Sequence, residues 1–139
     1  MTDPGWSLDP RLAQDTVGLG DLPLTRVLVS RDANYPWLIL VPRRAGAVEI
    51  IDLSDADQAF LMREIALTAR ALKALTRCDK LNIAALGNTV RQLHVHVIAR
   101  SPGDAAGARP VWNAVPARRY EDAELARLLA ALRAGIGLF

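Results

Sequence analysis

The 139 residues fit one domain, expected to span 1–139, and a chain of that length can bury most of its apolar surface in a single core. Apolar residues make up 51%, but Arg, Asp, Gly or Pro interrupt every stretch before it could span a bilayer, so no membrane partner is expected. Met1–Asp9 lacks the basic start and apolar centre of a secretory signal, which gives a cytoplasmic expectation. Cys78 is the one cysteine and excludes both an internal disulfide and a paired-thiolate zinc site; it is assigned to core packing. The formal charge is +2, and all cations other than Lys73 and Lys80 are arginines, whose planar fork suits phosphate.

Pro10–Asp15 reads as a short helical turn opening after Asp9, with proline at its first position. Thr25–Ser30 and Trp37–Pro42 are β-rich runs around the polar stretch 31–36, the pattern of an antiparallel hairpin. Ser54, with Asp57 three residues on, predicts a capping box before a long helix. Leu61, Ile65, Thr68, Leu72 and Leu75 fall on one face of that helix, which ends near Thr76. Leu81–Ala85 reads as a strand, 86–91 as a tight polar loop and Gln92–Arg100 as another strand. Beyond the Gly and Pro-rich 101–116, Leu125, Leu128, Leu129 and Leu132 predict a terminal helix stopped by Gly135. Hairpin strands, one long helix and two further strands point to an α+β fold with a mostly antiparallel sheet.

The chemistry concentrates in Gln92-Leu93-His94-Val95-His96, which holds both histidines of the protein. Strand alternation sends Gln92, His94 and His96 to one face and Leu93, Val95 and Val97 to the other. Same-face neighbours lie about 6.6 Å apart, so two imidazoles can border one phosphate-sized site. The preceding Gly87, Asn88 and Thr89 supply a permissive glycine, an amide, a hydroxyl and backbone N–H groups able to face an anion. An ordinary turn would use the same residue types.

Together, Gly87 to Ile98 resembles the signature of the histidine triad family: a glycine, an amide, a small hydroxyl residue, then alternating strand positions ending in His-x-His. Leu38–Arg44 is similar to the family's strand ending in proline and basic residues, and Asn82 to the asparagine on its strand before the loop. The resemblance implies a nucleotide hydrolase or nucleotidyl transferase working at the α-phosphate, with adenosine as the family's common nucleoside and no metal or other cofactor. It implies His94 as nucleophile, His96 as the group that polarises the phosphate, and Asn88, Thr89 and Gly87 as phosphate contacts, with Asn82 as a phosphate or ribose contact. A nucleotidyl-imidazole intermediate follows, because neutral imidazole is nucleophilic near pH 7 and leaves well once protonated. It further implies a homodimer whose sheets join across the interface.

The sequence departs from the family pattern at Gln92, where the first triad histidine usually stands, and at Ala45, where many members carry a further histidine. Glutamine cannot take up a proton, yet its main-chain carbonyl still reaches the His94 ring. Exchange of Gln92 for histidine is therefore expected to keep or raise turnover. Two other readings stay open: a nucleotide-binding protein that has lost turnover, and a metal site built from His94, His96 and a carboxylate such as Asp104 or Glu49. Nucleic-acid binding is not expected, since aromatics make up only 5% and no basic stripe alternates with stacking residues. The pairs Arg43-Arg44 and Arg118-Arg119 read as solvated surface, with a phosphate entrance as the alternative for Arg43 and Arg44; Trp37 is placed in the core, Trp112 in packing with stacking on a base as the alternative, and the base near Val27, Val29 and Leu38.

Overall fold

The computed structural model describes residues 1–138. α1 (Pro10–Gln14) follows Asp9, whose carboxylate accepts the Arg11 N–H and caps the helix. β1 (Thr16–Asp21), β2 (Thr25–Ser30) and β3 (Trp37–Pro42) form an antiparallel meander. After a 3₁₀ turn at Ile50–Asp52 comes α2 (Asp55–Thr76), then β4 (Lys80–Ala84), β5 (Val95–Arg100) and α3 (Asp122–Ile136). The five strands make one antiparallel sheet in the order β1-β2-β3-β5-β4. This is the expected α+β class, with β4 and β1 at the edges.

The register divides the sheet into two chemically different faces. Val27 pairs with Leu40, Val29 with Leu38, Leu38 with Val97 and Leu40 with Val95. All belong to the main core, which α2 and α3 cover through Leu61, Ile65, Ala69, Leu72, Leu132 and Ile136. Leu72 is fully buried, so its truncation to alanine is expected to cost about 2–5 kcal/mol. Leu28, Ile39 and His96 align on the opposite face, which loops and the short α1 cover instead of the two long helices.

Several details depart from the sequence reading. β1 was not foreseen: Gly18 and Gly20 mask its alternation, and a bulge between them breaks the pairing register. α3 runs through Gly135 and ends at Gly137, which takes the left-handed conformation (φ 87°) that closes a helix. Gly135 instead sits against α2, where an added Cβ would lie 3.6 Å from Ala71 Cβ. Leu75 is exposed; the buried face of α2 turns through Glu64 and Ala69. Ser54 accepts the Asp57 N–H, but the Asp57 carboxylate turns away to Arg44 at 2.6 and 3.1 Å, so the capping box is half formed. β4 begins one residue early, and β5 pairs only from Val95, leaving Gln92–His94 outside the ladder with a bend at Gln92.

Glu64 joins α2 to the start of β2. Its carboxylate, buried in the core, accepts the Leu24 N–H at 2.9 Å and the Thr25 N–H and hydroxyl at 2.8 Å each. Three donors replace the water the carboxylate loses on burial.

Candidate active site

Both histidines open onto a cleft of about 920 Å³ on the loop-covered face of the sheet. Its floor is Ile39 and Trp37 on β3 and His96 on β5; its walls come from α1, the 86–90 loop and the 112–119 stretch. Gly87 shapes that loop for two reasons: its φ is 82°, and an added Cβ would stand 3.1 Å from the Val90 carbonyl. Asn88 and Thr89 line the cleft, and among the described residues neither side chain is tied to another protein group.

Main-chain and indole contacts fix the two rings in opposite tautomers. His94 Nδ1 lies 2.6 Å from the Gln92 carbonyl, which can only accept, so Nδ1 carries the proton and the Nε2 lone pair is free. Trp37 Nε1–H donates to His96 Nδ1 at 3.0 Å, so in that ring Nε2 carries the proton. Burial, with a smaller contribution from the charge of His94, pulls the His96 pKa down to about 4, so near pH 7 His96 is a neutral donor. The rings meet edge to face at 4.9 Å, and His96 also packs on Trp112 at 5.0 Å. One site thus holds a lone pair and a fixed N–H donor side by side.

Gln92 contributes its carbonyl to His94 but sends its amide elsewhere. Its Oε1 accepts the Asp9 N–H and its Nε2 donates to the Ser7 carbonyl, each at 2.8 Å. Asn82 is also outside the cleft. It lies on the same sheet face as His96, but its Oδ1 accepts from Arg100 at 2.9 Å and it borders a separate hollow with Lys80 and Arg100. Arg100 additionally grips Asp104 and the Gly107 and Arg109 carbonyls, fastening the loop that leads to Trp112. Asn82 therefore acts on the cleft wall through Arg100.

Other assignments change with the register. Val27, Val29 and Leu38 lie under the helices, one residue out of phase with the cleft, so they cannot form a base pocket. Leu12, Ile39, Trp37, Val90 and Trp112 supply the apolar surface there, and Trp37 both packs against two small buried clusters and forms the cleft floor. Arg43 is buried on the Leu22 and Pro23 carbonyls and Arg44 is paired with Asp57, so neither guards the phosphate. Arg31, Arg118 and Arg119 stand at the cleft instead. In sequence the Arg118-Arg119 pair reads as solvated surface and nothing local marks Arg31, because these loops meet only in three dimensions. Asp104, weighed as a metal ligand, is ion-paired with Arg100, which lowers its pKa to about 2. Among the described residues no three His, Cys, Asp or Glu side chains gather as a metal-binding group. No helix there is long and apolar enough to cross a membrane.

A five-stranded antiparallel sheet with paired histidines beside a glycine-turned loop defines an α+β domain with a two-histidine cleft, and similarity to known proteins gives the family. The HIT domain model matches residues 11–103, and the chain belongs to the histidine triad family. A histidine triad protein of Bradyrhizobium japonicum is 59% identical over 96% of this chain and 99% of its own, with a TM-score of 0.94. A histidine triad protein of Sinorhizobium meliloti 1021 is 43% identical over 94% and 96% (TM-score 0.91). One from Marinobacter aquaeolei VT8 is 40% identical over 95% and 96% (TM-score 0.92). No curated protein matches the chain. Family membership implies nucleotide binding and, in general, hydrolase or transferase activity.

Proposed function

We propose that this protein is a nucleotide hydrolase or nucleotidyl transferase that cleaves at the α-phosphate through a nucleotidyl-His94 intermediate. The observation that carries this reading is the complementary tautomer pair: the His94 Nε2 lone pair stands beside the His96 N–H in a cleft large enough for a nucleotide. The lone pair forms a P–N bond as the bond from phosphorus to the leaving group breaks and its electron pair leaves with that group. The intermediate ring carries phosphorus on Nε2 and hydrogen on Nδ1, and is therefore cationic; the Gln92 carbonyl faces that charge. His96 Nε2 and the N–H groups of the Gly87–Val90 loop stabilise the phosphoryl oxygens, while Asn88 and Thr89 contact the phosphate or the departing group. Water then attacks the phosphorus and gives up a proton to solvent as the P–N bond breaks, and the electron pair of that bond returns to Nε2 and restores neutral His94. The leaving group takes its proton from solvent or carries it in, because Gln92 has none to give.

The test is release of product from a fluorogenic adenosine phosphoramidate by metal-stripped protein beside the His94→Ala variant. Turnover that requires His94 supports the mechanism, and unchanged turnover in the variant removes it. A nucleotide-binding protein of low turnover is the second reading, favoured by the engagement of the Gln92 amide with Ser7 and Asp9. Saturable binding of a nucleoside monophosphate without turnover selects it.

The same reading includes a homodimer. β4 is an edge strand, Ile83 on it is 49% exposed, and Leu86, Ile50 and Ile51 are exposed nearby in sequence or around the hollow beside His94. Light scattering should give twice the 15.1 kDa chain mass, and Ile83→Glu should shift the protein toward monomer.

A further inference from the structure

Residues 7–11, which run up to and into the start of the family match, are bound to the histidine site at two points. At one, the Gln92 amide spans the Ser7 carbonyl and the Asp9 N–H. At the other, three residues earlier, the Thr89 carbonyl accepts from Arg11 Nη1 at 3.0 Å. The two are joined, because the Asp9 carboxylate accepts the Arg11 N–H at 2.8 Å and meets its guanidinium at 3.3 and 3.4 Å. The result is a closed ring, Gln92 to Asp9 to Arg11 to Thr89, with the chain from Thr89 to Gln92 completing it. Ser7 and Asp9 lie before residue 11, where the match to the family model begins.

We propose that Gln92 and Arg11 are positioning residues that brace the phosphate loop: they hold both ends of Thr89–Gln92 against the N-terminal segment and so fix the carbonyl that orients His94. The inference rests on the nucleotide reading for its kinetic consequence, but the brace itself is a property of the folded chain. It gives position 92 a role that a titrating side chain fills poorly. An amide offers a donor to Ser7 and an acceptor to Asp9 at once and at every pH, whereas a protonated imidazole has no acceptor and an ionised glutamate no donor. The brace also fits the local structure, because Gln92–His94 lies outside the sheet ladder and lacks the strand bonds that would otherwise hold its carbonyl. Leu93 N–H donates to the Ala47 carbonyl, so the remaining anchor is on the other side of the chain. Neither Gln92 nor Arg11 has a titrating role in the step.

A loosened brace misaims the His94 lone pair, which lowers kcat, while the cleft walls that grip the nucleoside change little, which leaves KM nearly constant. Gln92→Ala is expected to lower kcat by about tenfold to a hundredfold, the scale of a small misplacement of a reacting group. Arg11→Ala, at a side chain 56% exposed, is expected to fold normally and to lower kcat several-fold. The double variant is expected to fall short of the product of the two, because both act through one ring. Backbone amide exchange over Gly87–Leu93 gives a second readout that needs no substrate. Faster exchange there in both variants, with unchanged exchange in α2, supports the brace, as does a kcat loss at constant KM. Unchanged loop exchange, or independent multiplicative losses, overturns it. If the wild-type protein shows no turnover, the hydrolase reading fails separately and loop exchange alone decides the brace.

Discussion

His94 Nδ1 and the main-chain oxygen of Gln92 are 2.6 Å apart, and that contact decides which nitrogen of the ring faces the cleft. The Nε2 lone pair is then the only nucleophile on the ring. His94→Ala should reduce phosphoramidate turnover by at least about a thousandfold, since it removes the covalent step. Circular dichroism should remain that of the wild type, because the ring packs in a cleft and not under the helices.

The side chain of Gln92 bears on how well histidine would serve there, because both ends of its amide are engaged. A neutral imidazole has one donor and one acceptor to set against Ser7 and Asp9, but a protonated one has no acceptor for the Asp9 N–H. Gln92→His should lower kcat, with the loss growing as the new ring protonates and loses its acceptor. Steady-state kinetics from pH 5.5 to pH 8 would measure it.

His96 ties stability to pH. Its folded pKa of about 4 lies below the 6.5 of an unperturbed histidine, so between those values the unfolded chain binds more protons than the native one. Stability therefore rises with pH across that window and is lost as pH falls toward 4, by an upper limit of roughly 3 kcal/mol from this one group. Urea midpoints at pH 7 and pH 5 should differ, and His96→Gln should reduce that difference.

Glu64 predicts a large structural effect far from the cleft. Glu64→Ala strands the Leu24 and Thr25 N–H donors in the core and should cost about 2–5 kcal/mol. Glu64→Gln keeps one acceptor and should cost less. Denaturant titration separates the two.

Arg100 holds the cleft wall from outside. Arg100→Ala releases Asp104, Asn82 and two carbonyls of the 107–109 turn. Trp112 then loses its fixed place against His96, and KM for the nucleotide should rise several-fold with a smaller change in kcat. Asn82→Ala should show the same pattern more weakly.

Local chemistry made much of this protein legible from its sequence. Periodicity in Leu61–Leu72 predicts α2, Pro10 after Asp9 predicts α1, and the β-rich runs around 31–36 predict the hairpin, because each depends on neighbours along the chain. Gly87 and the alternating His94 and His96 announced a site, since glycine conformation and strand parity are local properties too. The tertiary structure decided what those properties leave open. Sheet face was one such matter: Val27, Val29 and Leu38 carry no mark telling helix side from cleft side, and a register step of one residue reverses the answer. Loop closure was another, because the contacts of Gln92 with Ser7 and Asp9, of Asn82 with Arg100, and of Trp112 with His96 join residues far apart in sequence. Residue type showed which atoms Gln92 could donate and accept; only the folded chain decided that its amide would hold the N-terminal segment while its carbonyl held His94.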